Sequence, residues 1–145
     1  MSDKAARRES RIMAVEALFY HLERPEKPWE ECFDFVLKDL ELKKADDFSK
    51  SIVSMAVEHL GKIKVIIKAF APQFPYEKIA PINRVLLVLG ITEMKFIETP
   101  PVVVINEYVE IAKIFGEDKS ASFLNGVLDN YRKGLGLEGR KKPDA

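Results

Sequence analysis

An all-α bundle is the fold class this sequence predicts, on three observations. Apolar residues recur at three- and four-residue spacing in one segment after another, and prolines and glycines divide the chain into pieces of helix length. No turn of Asn-Gly type joins two alternating apolar and polar runs, as a β-hairpin would require. A length of 145 residues suits one domain, since domains cluster at about 100 to 150 residues.

The elements follow in order. Ile12, Val15, Phe19 and Leu22 line one side of a first helix that runs from the chain start to about Leu22, where Pro25 and Pro28 interrupt it. Pro28 suits the first turn of a second helix, with Glu30 and Glu31 at its positive end and Phe33, Val36, Leu37 and Leu40 inward, ending near Leu42. Asp46 or Asp47 can cap a third segment, whose stripe Ile52, Ala56, Leu60, Ile63, Ile67 and Phe70 continues to Pro72, with Gly61 as the place where it kinks or splits. "PINRVLLVLGITEMKF" is apolar almost all round from Arg84 to Thr92 and reads as a central buried helix or a buried strand, which periodicity does not separate.

"PPVVVINEYVEIAKIFG" starts β-branched, but Ile105, Val109 and Ala112 beside Val104, Tyr108, Ile111 and Phe115 form adjacent helical rows. Thr99 is its expected cap, a proline its first turn and Gly116 its end, while Asn106, Glu107, Glu110 and Lys113 take the outer face. A last helix from Ser120 presents Leu124, Val127, Leu128 and Tyr131, and residues 134–145 read as a flexible tail beyond a folded 1–133.

The formal net charge is +0, so binding of a polyanion requires a local basic patch. Cys32 is the only cysteine, which excludes an internal disulfide and a cysteine zinc cage and suits a reducing compartment. Neither a signal-type leader nor a membrane-length apolar run is present, so the expected location is cytoplasmic. His21 and His59 lack the spacing of a metal pair, and there is no phosphate-binding glycine loop or nucleophile elbow. Hence no cofactor, no metal and no enzymatic activity are expected. The one concentrated feature is basic: Arg7, Arg8 and Arg11 lie three and four residues apart and fan over one side of a helix, with Lys4 before them. Guanidinium suits phosphate because its planar fork donates two parallel hydrogen bonds. Such a cluster is also common as a merely solvated helix end.

"AARRESRIMAVEALFY" resembles the arginine-rich opening helix of the NusB family of bacterial transcription antitermination factors, and "INRVLLVLGITEM" resembles its central helix. "VVVINEYVEIAKIFGEDKSASFLNGVLDNY" is similar to the family's Ile-Asn-Glu-x-x-Glu-x-Ala-Lys-x-Phe-Gly run and the Phe-x-Asn-Gly-x-Leu-Asp that follows it. The resemblance extends from about Ala6 to about Tyr131 and implies about seven helices in two packed bundles. It further implies a non-enzymatic protein that pairs with NusE, a small-subunit ribosomal protein. The pair binds boxA-type single-stranded RNA, notably in leaders of ribosomal RNA operons, and acts in the antitermination complex of RNA polymerase to promote read-through. Homodimerisation stays open. So does the alternative of a NusB-like protein-interaction module without RNA binding of its own, as found attached to some ribosomal RNA methyltransferases.

Carried over residue by residue, the RNA-facing positions are Arg7, Arg8 and Arg11, joined by Lys4, Lys119 and the aromatic Phe123, and the partner-facing ones are Phe19, Asn83, Arg84 and Glu93. Four departures stand out: Glu9 inside the arginine cluster, "EDKSASF" without the basic pair that often precedes the aromatic, Val88 in place of a frequent arginine, and a connection from Glu93 to Pro100 that looks one residue short. Gly126 costs its helix about 1 kcal/mol against alanine, so it is expected where a neighbouring backbone leaves no room for a side chain. Phe123, one position before the Leu124 stripe, is divided between core margin and base-stacking ring.

Overall fold

The computed structural model describes residues 3–39, 46–115 and 118–141, of which 6–39, 46–115 and 119–135 include the side chains. Among the described residues there are seven α-helices, one 3-10 turn, one π turn and no strand. The helices are α1 (Asp3–Glu23), α2 (Trp29–Asp39), α3 (Asp47–Glu58), α4 (Leu60–Phe70), α5 (Pro81–Thr92), α6 (Pro101–Ile114) and α7 (Asp118–Lys141). None of them is long and apolar enough to cross a membrane. The chain divides into two compact units, Met1–Leu60 and Gly61–Ala145. Leu40, expected on the inner face of the second helix, Leu42 and Gly116, expected at helix ends, and the tail residues 142–145 lie outside the described residues; α7 runs through the earlier part of that tail to Lys141.

In the first unit α1 packs on both α2 and α3. Ala14, Val15, Ala17 and Leu18 meet no solvent, and neither do Val36 of α2 or Ile52, Val53 and Ala56 of α3. Asp46 caps α3, its carboxyl accepting from the Ser49 amide at 2.7 Å. The long apolar stripe beginning at Ile52 does break: the His59 amide closes α3 on the Met55 carbonyl at 3.0 Å, and α4 starts at Leu60, one residue before Gly61.

In the second unit the ambiguous central segment is a helix. Pro81 occupies its first turn, and every residue from Val85 to Thr92 is buried. The reason lies in its surroundings, since α5 is packed by both α6 and α7 and its apolar character is used on all sides. Thr92, at its end, satisfies its hydroxyl by donating to the Val88 carbonyl at 2.7 Å.

The connection to α6 departs from expectation. A π turn spans Glu93–Ile97 and closes on Glu98, the only non-glycine residue with positive φ (61°) among the described residues. Thr99 does not cap α6; its hydroxyl donates to the Glu93 carboxyl at 3.0 Å, and Pro100 takes the cap position ahead of Pro101. Glu93 accepts a second hydrogen bond, from the Tyr108 hydroxyl at 2.6 Å, and is fully buried. On α6, Val104, Ile105, Tyr108, Ile111 and Ala112 are buried as their spacing requires, whereas Phe115 is exposed. Glu107 belongs to the buried set and not to the outer face, which leaves Asn106, Glu110 and Lys113 outside, the last two paired at 2.9 Å.

Gly126 also departs from expectation. It is exposed, and a Cβ built there meets nothing within 4 Å. The tight positions are Gly90, whose Cβ would stand 3.1 Å from a Leu128 methyl, and Gly134, whose Cβ would stand 2.9 Å from Phe70 Cζ. The stripe Leu124, Val127, Leu128 and Tyr131 is buried as expected.

Candidate nucleic-acid interface

Two places carry the residues singled out in the sequence, one in each unit. In the first, the start of α1 runs beside the start of α3. The Arg7 guanidinium carbon lies over the Phe48 ring, 3.8 Å from its centroid, and that of Arg11 lies 5.4 Å from the same ring. These are cation-π distances, in which the cation faces the negative side of the aromatic quadrupole. Arg7 is exposed and Arg8 half-buried, but Arg11 is only 4% exposed. The three guanidinium groups therefore do not fan outward together: two face outward to different degrees and one is enclosed. Glu9 is exposed among them, and the Lys4 side chain lies outside the described residues.

Phe48 was not singled out from the sequence. Its signal is its place four residues before Ile52, which extends the inward stripe of α3 to the rim, where a ring is half-covered. Beside it, Ser10 donates to the Asp46 carboxyl, so Asp46 holds both the α3 terminus and the first helix. Burial alone would push the Asp46 carboxyl up, but the Ser10 and Ser49 hydrogen bonds and the Arg7 cation bring it below its ordinary value. Ala6, Arg7, Ser10, Asp46 and Phe48 enclose a hollow of about 360 Å³.

The second place is a cleft of about 500 Å³ in the other unit, formed where the 3-10 turn Tyr76–Lys78 and the first turn of α5 meet the first turns of α7. Phe74, Lys78, Asn83, Lys119 and Phe123 are among its lining residues. Phe123 is half-buried, and its ring meets Phe74 edge to face, 5.1 Å between centroids at 84°. Phe74 is itself 43% exposed, so the pair forms an apolar platform between two lysines. Phe74 and Lys78 were missed in the sequence because they stand in "APQFPYEK", a stretch whose prolines mark only a break between helices.

The four positions carried over for a protein partner are dispersed. Phe19 is half-buried in the first unit, edge to face with Tyr20 at 6.5 Å. Asn83 lines the same cleft as Phe123. Arg84 is half-buried and engaged locally: its Nε donates to the Ile79 carbonyl at 2.8 Å, closing the 3-10 turn onto α5. Glu93 offers no surface at all, for its carboxyl is spent on Thr99 and Tyr108. Among the described residues no group of histidines, cysteines and carboxylates could hold a metal ion, and the His21 Nδ1–H donates to the Lys27 carbonyl, 2.8 Å away.

Residues 8–133 match the NusB family. The chain is 34% identical over 131 residues to the transcription antitermination protein NusB of Nitratiruptor sp., covering 89% of this chain and 93% of that protein. It superposes on a chain of the crystal structure of antitermination factors NusB and NusE in complex with double-stranded RNA with a TM-score of 0.79 at 26% identity, over 92% of this chain and 99% of that one. NusB of T. maritima gives a TM-score of 0.78 at 30% identity, over 88% of this chain and 90% of that one.

Proposed function

Because the chain belongs to the NusB family of transcription antitermination proteins, which are not enzymes, we propose that it binds boxA-type single-stranded RNA together with NusE and promotes read-through by RNA polymerase, notably in ribosomal RNA operons. One observation carries this reading: an exposed arginine, Arg7, is seated on an aromatic ring at a helix start, in a chain whose formal charges sum to +0. Arg8 adds a second outward cation, and Arg11 contributes from beneath, as local field instead of direct contact. Lys4, earlier on the same helix, is proposed to act with them. In the second unit the Phe123 and Phe74 rings offer a stacking surface and Lys78 and Lys119 phosphate contacts, the combination that single-stranded nucleic acid takes without strict sequence preference.

With net charge +0 and few outward cations, the protein alone neutralises few phosphates, so the partner supplies the rest and the heterodimer is the working unit. That the related NusB, 26% identical, is found with NusE and double-stranded RNA in one crystal structure supports a pairing of this kind. Phe19, Asn83 and Arg84 are the positions proposed to carry it, and Glu93 serves it from inside by fixing the connection into α6.

Titration of boxA-like and scrambled RNAs across a salt series, with and without NusE, tests the reading. Replacing Arg7 and Arg8 with alanine is expected to weaken binding to every RNA and to flatten the salt slope by about 0.7 log units for each lost phosphate contact. A double variant that binds like wild type with both RNAs, alone and with NusE, would leave a helical protein-interaction module without RNA binding of its own.

Phe123→Ala is expected to weaken RNA binding by roughly the worth of one stacked base, about 1 to 3 kcal/mol. Its stability loss should stay near 1 to 2 kcal/mol, since the ring is half-buried and loses one edge contact, against about 3 to 5 for a core phenylalanine. Thermal melts read beside anisotropy separate the two, and a core-sized loss of stability would remove the ring from the interface.

A further inference from the structure

We propose that Phe48 is a positioning residue for the arginine edge: its ring holds the Arg7 guanidinium where a phosphate can take it, a role that rests on the RNA-binding reading above. A long side chain in the opening turns of a helix samples many rotamers, and binding a phosphate normally requires freezing them. Here the freezing is done in advance. The Arg7 guanidinium carbon stands 3.8 Å from the centroid of the Phe48 ring, and Arg11 approaches the same ring at 5.4 Å. An aromatic face attracts the cation through its quadrupole but supplies no lone pair, so the contact does not compete with phosphate oxygens for the N–H donors at the rim of the fork.

The ring is itself held. Phe48 stands in the first turn of α3, and Asp46 ties that turn to α1 by capping the Ser49 amide at 2.7 Å while accepting from the Ser10 hydroxyl. Both ends of the stack are thereby fixed, Arg7 by its helix and Phe48 by a capped terminus joined to that same helix. Arg11, 4% exposed against the far reach of the ring, keeps a second positive charge close beneath.

A double-mutant cycle tests this on the full chain. Phe48→Leu, Phe48→Tyr and Arg7→Ala, with the two Phe48 variants repeated in the Arg7→Ala background, are titrated with a labelled boxA-like RNA by anisotropy, and each is melted by circular dichroism. Phe48→Leu is expected to weaken binding about two- to fivefold, the size of one cation-π contact at a partly exposed site, and Phe48→Tyr to restore it. In the Arg7→Ala background Phe48→Leu should change nothing further. If Phe48→Leu disturbs folding, Phe48→Met, an unbranched chain that adapts to the gap, makes the same comparison. An equal loss in both backgrounds, or no loss in either, overturns the role of Phe48 while leaving the arginine edge in place. Arg7→Ala without effect overturns both.

Discussion

Tyr108→Phe is expected to lower the stability of the protein by about 1.5 to 3 kcal/mol, the range for a hydrogen bond to a carboxyl group that is left buried without its donor. The Tyr108 hydroxyl donates to Glu93 at 2.6 Å, and both residues are fully buried. Replacing the hydroxyl by hydrogen leaves the ring packing as it was, so the change isolates the polar contact. Thr99 still donates to the other carboxyl oxygen at 3.0 Å, which keeps the loss below that of an abandoned charge. Urea unfolding followed by far-ultraviolet circular dichroism gives the measurement. A variant within about 0.5 kcal/mol of wild type would mean that the buried carboxyl does not depend on this donor.

Gly90→Val should destabilise by about 2 kcal/mol. A Cβ at Gly90 would stand 3.1 and 3.3 Å from the two Leu128 methyls and 3.6 Å from a Val104 methyl, and valine adds two more carbons to a fully packed place. Overpacking of this kind costs about 1 to 3 kcal/mol, and the gain from leaving glycine in a helix returns only about 0.4 for a β-branched residue. Gly90→Ala brings the Cβ alone, which the ends of Leu128 can yield to, and should fall within about 1 kcal/mol of wild type. Gly126→Ala is the control in the opposite direction: nothing lies within 4 Å of its Cβ, so the full helix-propensity gain, about 0.5 to 1 kcal/mol, should appear as added stability. Should Gly126→Ala destabilise instead, close packing at Gly126 would be restored and Gly90 would lose its distinction.

The candidate interface was legible in part. Arg7, Arg8 and Phe123 were found from spacing and from the family motif, and the structure puts Arg7 on the surface and Phe123 at the rim of a cleft. Their aromatic neighbours were not found. Phe48 and Phe74 come from segments distant in sequence from the residues they touch, separated from Arg7 and Phe123 by whole helices. Nothing in a helical repeat marks such a pairing.

What the sequence by itself determined is the division into helices. A cap for α3 at Asp46 or Asp47, of which the structure uses Asp46, the break beside Gly61 and the stripe from Leu124 to Tyr131 follow from backbone chemistry and a repeat of 3.6 residues, both of which act within a few residues. Tertiary structure decided the rest. Whether an apolar run such as "VLLVLGI" becomes helix or strand is decided by what covers it, and α5 is a helix with α6 and α7 packed on it. Glu93, Glu107 and Arg11 carry charges that pattern alone assigns to the surface, yet all three are buried, because a polar group can be enclosed when partners from other turns and helices reach it, as Thr99 and Tyr108 reach Glu93. Which glycine is needed for packing was settled in the same way, by the approach of Leu128 to Gly90, a contact made between helices far apart in the chain.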